Sequence, residues 1–339
     1  MKKGILPEQQ IRDLLETRAI LSREALLEGQ IQPASLDLRL GHKAYRIRAS
    51  FLPGQGRTVE SVLSDVTMHE VDISKGAVLE TGCIYLVPLQ EALKLPADLS
   101  AAANPKSSTG RLDVFTRVIC DGSDAFDAIP AGYAGPLYVE IAPRTFSVLV
   151  RPDDRLVQIR FRRGDIQILQ TETVSIDLEG AKGSDIIGWR ARRHAGLVDV
   201  SHVGGHKARE YWEPLSTPDG MLVLDPNEFY ILASKESVTI PENMAAEMAP
   251  VAPEIGEFRA HYAGFFDPGF GVSKVGGTGS RAVLEVRGRD VPFILRHGQT
   301  VAKLIFEPMT DIPTTLYGTN GSHYQAQGLR LSKHFTLKK

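Results

Sequence analysis

The chain has 339 residues, more than one domain usually holds, and a composition of 42% hydrophobic and 24% charged residues, ordinary for a globular protein. A formal net charge of −2 argues against a nucleic-acid polymer or an anionic membrane surface as main partner, because both select a basic excess. Cys83 and Cys120 are too few for a disulfide framework or a four-ligand zinc site, no apolar run reaches membrane-span length, and MKKGILPEQQ turns polar before a signal core forms, so a cytoplasmic setting is expected.

LPEQQIRDLLETRAI, from Leu6, spaces Ile11, Leu14, Leu15 and Ile20 at helical intervals, with Pro7 early where its missing N–H does no harm. One amphipathic helix is therefore predicted at the start. Beyond it the texture becomes short alternating segments, SLDLRL, YLVPL, LYVEIA, LVQIRF, MLVLD, RAVLEV and AKLIFE, divided by Gly, Pro, Asp and Asn. Such a pattern predicts a mainly β protein of barrels or sandwiches.

An internal repeat organises these segments. VLETGCIYLVPLQEALKLPADLSAAANP, from Val78, matches VLDPNEFYILASKESVTIPENMAAEMAP, from Val223. At one common offset Pro96 matches Pro241 and Glu140 matches Glu285, and LDLRLGHKA (36–44) is echoed by VDVSHVGGHKA (198–208). One β-unit was duplicated. The expected division is a first barrel over 1–165, a linker over 166–196 containing LEGAKGSD and WRARRH, and a second barrel with a C-terminal arm over 197–339.

The halves differ where chemistry is carried. The first holds KSSTGR (106–111), the second VAPEIGEF at the matching place; the second holds AGFFDPGFG, where the first has AIPAGYAG, with Pro130 in the place of Asp267. KSSTGR reads either as a polar turn before a strand or as a phosphate cradle, in which hydroxyls donate, Gly110 admits close approach and Lys106 and Arg111 supply charge. It is not a Walker loop. Glu140 in LYVEI and Glu285 in AVLEV either face solvent or serve a site; buried, either would hold its proton more firmly, as a shuttle near neutral pH requires. FFDPGFGVSKVGGTGS (265–280) reads as an aromatic hairpin with a loose tip or as the lining of a nucleobase slot. YGTNGSHYQAQGLRLSKHF reads as a frayed tail or a closing lid. No HxE with PCxxC and no GxSxG occurs, so zinc base deaminases and serine hydrolases are poorly supported.

IQPASLDLRLG (31–41), PKSSTGRLDV (105–114), AGYAGPLYVEI (131–141) and YQAQG (324–328) together resemble the dCTP deaminase branch of the dUTPase-like trimeric β-barrel family, and AGFFDPGF, VLEV and AKLIFEPM extend the resemblance through the second half. It implies two tandem dUTPase-like, distorted, jelly-roll-like β-barrels with an N-terminal helix, in the fused-repeat form. The activity implied is zinc-independent deamination of dCTP to dUTP and ammonia, supplying dUTP for thymidylate synthesis. Glu140 is the implied catalyst, with Glu285 second; Ser107 and Arg111 hold carboxylate and water; Lys106, Ser108, Thr109 and Gly110 bind the triphosphate with its Mg2+; Asp267 meets the sugar; Tyr324, Gln325 and Gln327 belong to the closing arm. Because family sites form between neighbouring barrels, stacking of like halves favours Glu140 and mixed pairing favours Glu285. A homo-oligomer, trimer favoured, is implied. dUTP pyrophosphatase activity, alone or combined with deamination, is the nearest rival, with VGGTGS (275–280) as its glycine-rich arm; a non-catalytic nucleotide scaffold is a third reading.

Overall fold

A computed structural model of the chain describes residues 2–168, 170–180, 184–217, 219–250, 258–261, 264–275, 279–319 and 324–337. The opening helix, Glu8–Glu16, buries Ile11 and Leu14, and Pro7 stands one residue before it as the N-cap. It is shorter than its periodicity suggests. Arg18 adopts φ 58, the chain reverses, and Ile20 belongs instead to the strand Ile20–Ser22. A second helix, Val59–Val66, is capped by Thr58, whose side chain accepts from Ser61 N; its eight residues are too few for a clear period.

The first half is built from two sheets. In one, Ala128–Ile129, Leu99–Pro105, Val157–Arg163, Ser35–Leu38 and Ile31–Gln32 lie side by side, with Gly4–Ile5 also on Val157–Arg163. In the other the order is Val114–Cys120, Ala134–Pro143, Ile84–Lys94, Lys43–Ile47, Thr67–Asp72, with Ile20–Ser22 on Ile84–Lys94. The second half repeats the plan. Ser280–Gly288, which carries Glu285, lies between Phe229–Val238 and Phe258–His261, as Ala134–Pro143, which carries Glu140, lies between Ile84–Lys94 and Val114–Cys120. The other second-half sheet runs Gln170–Ser175, Thr300–Pro308, Met244–Pro250, Phe265–Phe266. Register fixes the match at the hairpins: Ile129 pairs with Ala101, and Phe266 with Ala246.

Two strands lie within the segment expected as a linker. Gln170–Ser175 pairs along Thr300–Pro308, and Gly188–Ala191 is inserted between Trp212–Leu215 and Phe229–Val238. Gln170–Ser175 is an edge strand, exposed over its first four residues, so it lacks the apolar alternation that marks a strand in sequence. The halves also share a core. Trp189, Trp212 and Phe229 belong to the same buried cluster as Leu36, Val139 and Phe161, and Phe146 meets Trp212 edge-on at 5.4 Å between ring centroids. Val198–Asp199 runs parallel to Val148–Val150, crossing the seam. Among the described residues no helix is long and apolar enough to cross a membrane.

One buried ion pair anchors the segment IQPASLDLRLG. Arg39 Nε donates to Glu91 Oε1 at 2.8 Å and the Arg39 backbone N–H to Oε2 at 2.8 Å, both residues being fully buried. Gln30 Nε2 adds a third bond, 2.8 Å, to Oε1. A carboxylate so enclosed leaves three donors unsatisfied when removed, and breaking a buried pair on one side costs about 3–5 kcal/mol. Glu91→Ala should lose about that much in denaturant unfolding, whereas an apolar replacement of both Arg39 and Glu91 should recover most of it.

Candidate active site

KSSTGR forms a single helical turn rather than an open loop. Lys106 is extended, residues Ser107–Gly110 close the turn, and the Arg111 backbone N–H reaches Ser107 O at 3.1 Å. Thr109 is consumed by this geometry, its Oγ1 donating to Leu156 O at 2.8 Å. Lys106, Ser107, Ser108 and Arg111 line a cavity of about 560 Å³; Thr109 and Gly110 do not.

The far wall of that cavity comes from the second half. Glu285, central in Ser280–Gly288, projects into it, and Arg111 Nε stands 3.6 Å from Glu285 Oε1 with both side chains buried. Burial pushes the Glu285 carboxyl up from 4.5 to about 8, only partly opposed by the Arg111 guanidinium. A carboxyl poised there can give or take a proton near neutrality. Asp267 also lines the cavity, carried by a hairpin whose turn requires glycine: Gly271 has φ 74, and a Cβ there would lie 2.2 Å from Val238 O.

The cavity lining carries two kinds of group. Lys106 is paired with Asp37, Arg155 lies 3.6 Å from the same Asp37 oxygen, and Lys333 also lines the cavity. Burial, reinforced by Lys106 and Arg155, lowers the Lys333 pKa, so an incoming polyanion would restore its hold on the proton. The aromatic lining is Phe265, Phe266, Phe270 and Tyr317, with Phe266 and Phe270 edge-on at 5.1 Å. Phosphate oxygens suit the first set and a flat ring the second.

The described part of the C-terminal arm is docked over this site. The Arg111 guanidinium lies 4.0 Å from the Tyr324 ring centroid. Both terminal nitrogens of Arg111 donate to Gln327 Oε1 at 3.1 Å, and Nη1 also donates to Arg330 O at 3.0 Å. Gln327 Nε2 passes the link on to Arg281 O. Gln325 instead braces the hairpin, accepting from Gly271 N at 3.0 Å and donating to Gly269 O at 3.1 Å. Farther on, Ser332 Oγ donates to Ser108 O, and Phe335–Thr336 forms a parallel pair with His206–Lys207.

Glu140 does not share this cavity, contrary to the first choice of the sequence reading. It is buried against its cross-strand partner Arg117, whose Nε and Nη2 donate to Oε1 at 3.0 and 2.5 Å. The physical reason lies in the pairing of unlike halves within the chain, which brings the first-half turn to the second-half glutamate. Of VAPEIGEF (251–258) all but the backbone of Phe258, and of VGGTGS residues 276–278, lie outside the described residues. Asp37 lies within IQPASLDLRLG but was not singled out there, and Arg155, Arg160 and Lys333 carried no motif signal, because each is an isolated charge in a loop, strand or tail. Among the described residues no three His, Cys, Asp or Glu side chains form a metal cluster.

Fold and cavity together define a double-barrel protein with a cavity lined by cationic, carboxyl and aromatic side chains of both barrels. The family model described as the 2'-deoxycytidine 5'-triphosphate deaminase N-terminal domain matches residues 2–165, and that of the C-terminal domain matches 150–335. The chain belongs to this family, enzymes of C–N bond cleavage that deaminate dCTP. A crystal structure of 2'-deoxycytidine 5'-triphosphate deaminase from Agrobacterium tumefaciens is 53% identical and superposes with a TM-score of 0.88, over 91% of this chain and 100% of that one. The dCTP deaminase of Ignicoccus hospitalis is 29% identical over 189 residues, 53% of this chain and 94% of the relative. The dUMP-forming dCTP deaminase of Methanosphaera stadtmanae is 31% identical over 163 residues, 47% of this chain and 78% of the relative.

The raised Glu285 pKa has a stability consequence. The folded state binds a proton that the unfolded chain releases near 4.5, so the contribution is fully present below that pH and is lost as pH rises through about 8. Glu285→Gln lacks this loss. Its Tm relative to the parent should therefore climb steadily between those two pH values, as measured by paired thermal melts.

Proposed function

We propose that the chain hydrolyses dCTP to dUTP and ammonia without zinc, supplying dUTP for thymidylate synthesis, with Glu285 as proton shuttle. The observation that carries this is the meeting of Arg111 and Glu285, 3.6 Å apart, in one cavity that cationic and aromatic side chains also line. Cytosine C4 is a poor electrophile until N3 is protonated. Glu285 in its ionised form takes a proton from a water as the oxygen bonds to C4, and passes that proton to N3. A second proton moves from the new hydroxyl to the 4-amino nitrogen, the C4–N bond breaks, and ammonia leaves with the carbonyl formed. Arg111, held by Gln327 and stacked on Tyr324, fixes the carboxylate and water; such fixed placement supplies much of the rate beyond proton transfer.

Lys106, Ser107, Ser108, Arg155 and Lys333 hold the triphosphate, Phe265, Phe266 and Phe270 hold the pyrimidine, and Asp267 accepts from the sugar hydroxyl. Asp37 keeps a buried carboxylate oxygen, Oδ1, without a hydrogen-bond partner beside Lys106. It is a hard oxygen of the kind Mg2+ prefers, so a magnesium ion carried by the triphosphate fits there and would neutralise phosphate charge. A homo-oligomer, trimer favoured, and a cytoplasmic setting complete the reading; light scattering tests the first.

The names of relatives favour one alternative specifically. Dictyoglomus turgidum and Coprothermobacter proteolyticus proteins are, like that of Methanosphaera stadtmanae, dUMP-forming dCTP deaminases. A bifunctional outcome would add attack of water on the α-phosphate and release of pyrophosphate. Incubation with dCTP separates the two: dUTP and ammonia alone support simple deamination, whereas dUMP and pyrophosphate support the combined reaction. Glu285→Gln should bind dCTP and lose at least about a hundredfold in kcat, the lower range for acid–base catalysis. Glu140→Gln should retain turnover per folded molecule, and kcat/KM of the parent should rise with pH through about 8. Full turnover by Glu285→Gln would refute the assignment.

A further inference from the structure

Arg160, in the first-half strand Val157–Arg163, is the largest charged group of the molecule without any solvent contact apart from Arg39. Its guanidinium reaches across the seam into the second half and takes hold of three successive hairpin residues. The ring of Phe265 lies 4.1 Å from it, Phe266 O accepts from Nη2 at 3.2 Å, and Asp267 Oδ1 accepts from the same Nη2 at 3.2 Å. Nη1 donates to Ala246 O at 3.1 Å, on the strand that pairs with the hairpin. Asp267 makes this one side-chain contact among the described residues, so its Oδ2 is left to accept from whatever enters the cavity.

The duplication supplies a control. The position matching Arg160 in the second half is Ile305, and the position matching Asp267 in the first is Pro130. Neither charge has a counterpart. The pair therefore occurs at the one contact described, beside the cavity that Asp267 lines. Buried ion pairs are poor sources of net stability, which leaves the placement of Asp267 as the selected property.

We propose that Arg160 is the positioning residue for sugar recognition: it fixes one oxygen of Asp267, so that the single sugar hydroxyl of a 2'-deoxynucleotide, the 3'-hydroxyl, meets an oriented acceptor. The inference rests on the dCTP reading of the cavity. Asp267 is also faced by Asp37 and Lys106, and Arg160 by Glu307, Glu247 and Arg162. Burial raises the Asp267 pKa, Arg160 being the foremost opposing influence. Without Arg160 the carboxyl takes up a proton as pH falls and ceases to be a pure acceptor.

The test compares dCTP with 2',3'-dideoxycytidine triphosphate in the full-length parent, Arg160→Met, Arg160→Lys and Asp267→Asn. In the parent, loss of the 3'-hydroxyl should lower kcat/KM roughly ten- to a hundredfold, as expected where a buried polar group is left unpaired. In Arg160→Met the discrimination should shrink to about threefold or less, matching Asp267→Asn, and the double variant should be no worse than either, since coupled residues are not additive. The dCTP KM of Arg160→Met should rise as pH falls, which a merely structural role would not produce. Arg160→Lys keeps the charge without the fork and should fall between; it carries the test if Arg160→Met does not fold. Full discrimination with the parent's pH profile in either Arg160 variant, alongside its loss in Asp267→Asn, overturns the inference while leaving the dCTP reading intact. Deamination by a parent indifferent to the 3'-hydroxyl overturns the sugar assignment with it, and absence of any deamination overturns the reading beneath both.

Discussion

The organising constraint of this molecule is that a cation from one barrel and a carboxyl from the other share a dry space. Arg111 and Glu285 are both buried and only 3.6 Å apart. Such a pair is stable only where geometry and further hydrogen bonds offset desolvation. The surroundings go far to meet that need: Gln327 and the Arg330 carbonyl accept from both terminal guanidinium nitrogens, and the Tyr324 ring covers its face. The shared core around Trp212 and Phe161 fixes the barrels against each other, and thereby the distance between the two charges.

Duplication explains how the same fold contains one glutamate that lines the cavity and a matching one that does not. Glu140 and Glu285 sit on matching strands, between matching neighbours. What differs is the company. Opposite Glu140 stands Arg117, its guanidinium 3.7 Å from the Phe126 ring centroid and bonded to one carboxylate oxygen. Opposite Glu285, at register, stands His261, and the cation that approaches is Arg111 of the other barrel. A carboxylate fixed by a permanent partner is structural; one held at arm's length by a guanidinium with other commitments retains freedom to exchange protons.

Much of this was legible in the chain. The β texture, the repeat and the polar turn at KSSTGR are local patterns, and each reappears at its place. Which glutamate shares the cavity with KSSTGR was not legible, because that depends on the space between the barrels and not on proximity along the chain. The strands at Gln170–Ser175 and Gly188–Ala191 escaped because one is a polar edge and the other only four residues long. Arg160 escaped for a different reason: in LVQIRF it occupies an alternating position that ordinarily points to water, and only the second barrel's hairpin turns that exposure into burial.

The union of both halves in one polypeptide changes the physics of assembly for the central pair. When the two groups reside on separate chains, their encounter is bimolecular and fades on dilution. Here tethering sets a constant local concentration, independent of how many molecules the cell holds. Fusion also releases each half from serving both sides of a symmetric contact, so one could discard its hydroxyl-rich turn and the other its sugar-facing acid without losing the pocket that remained.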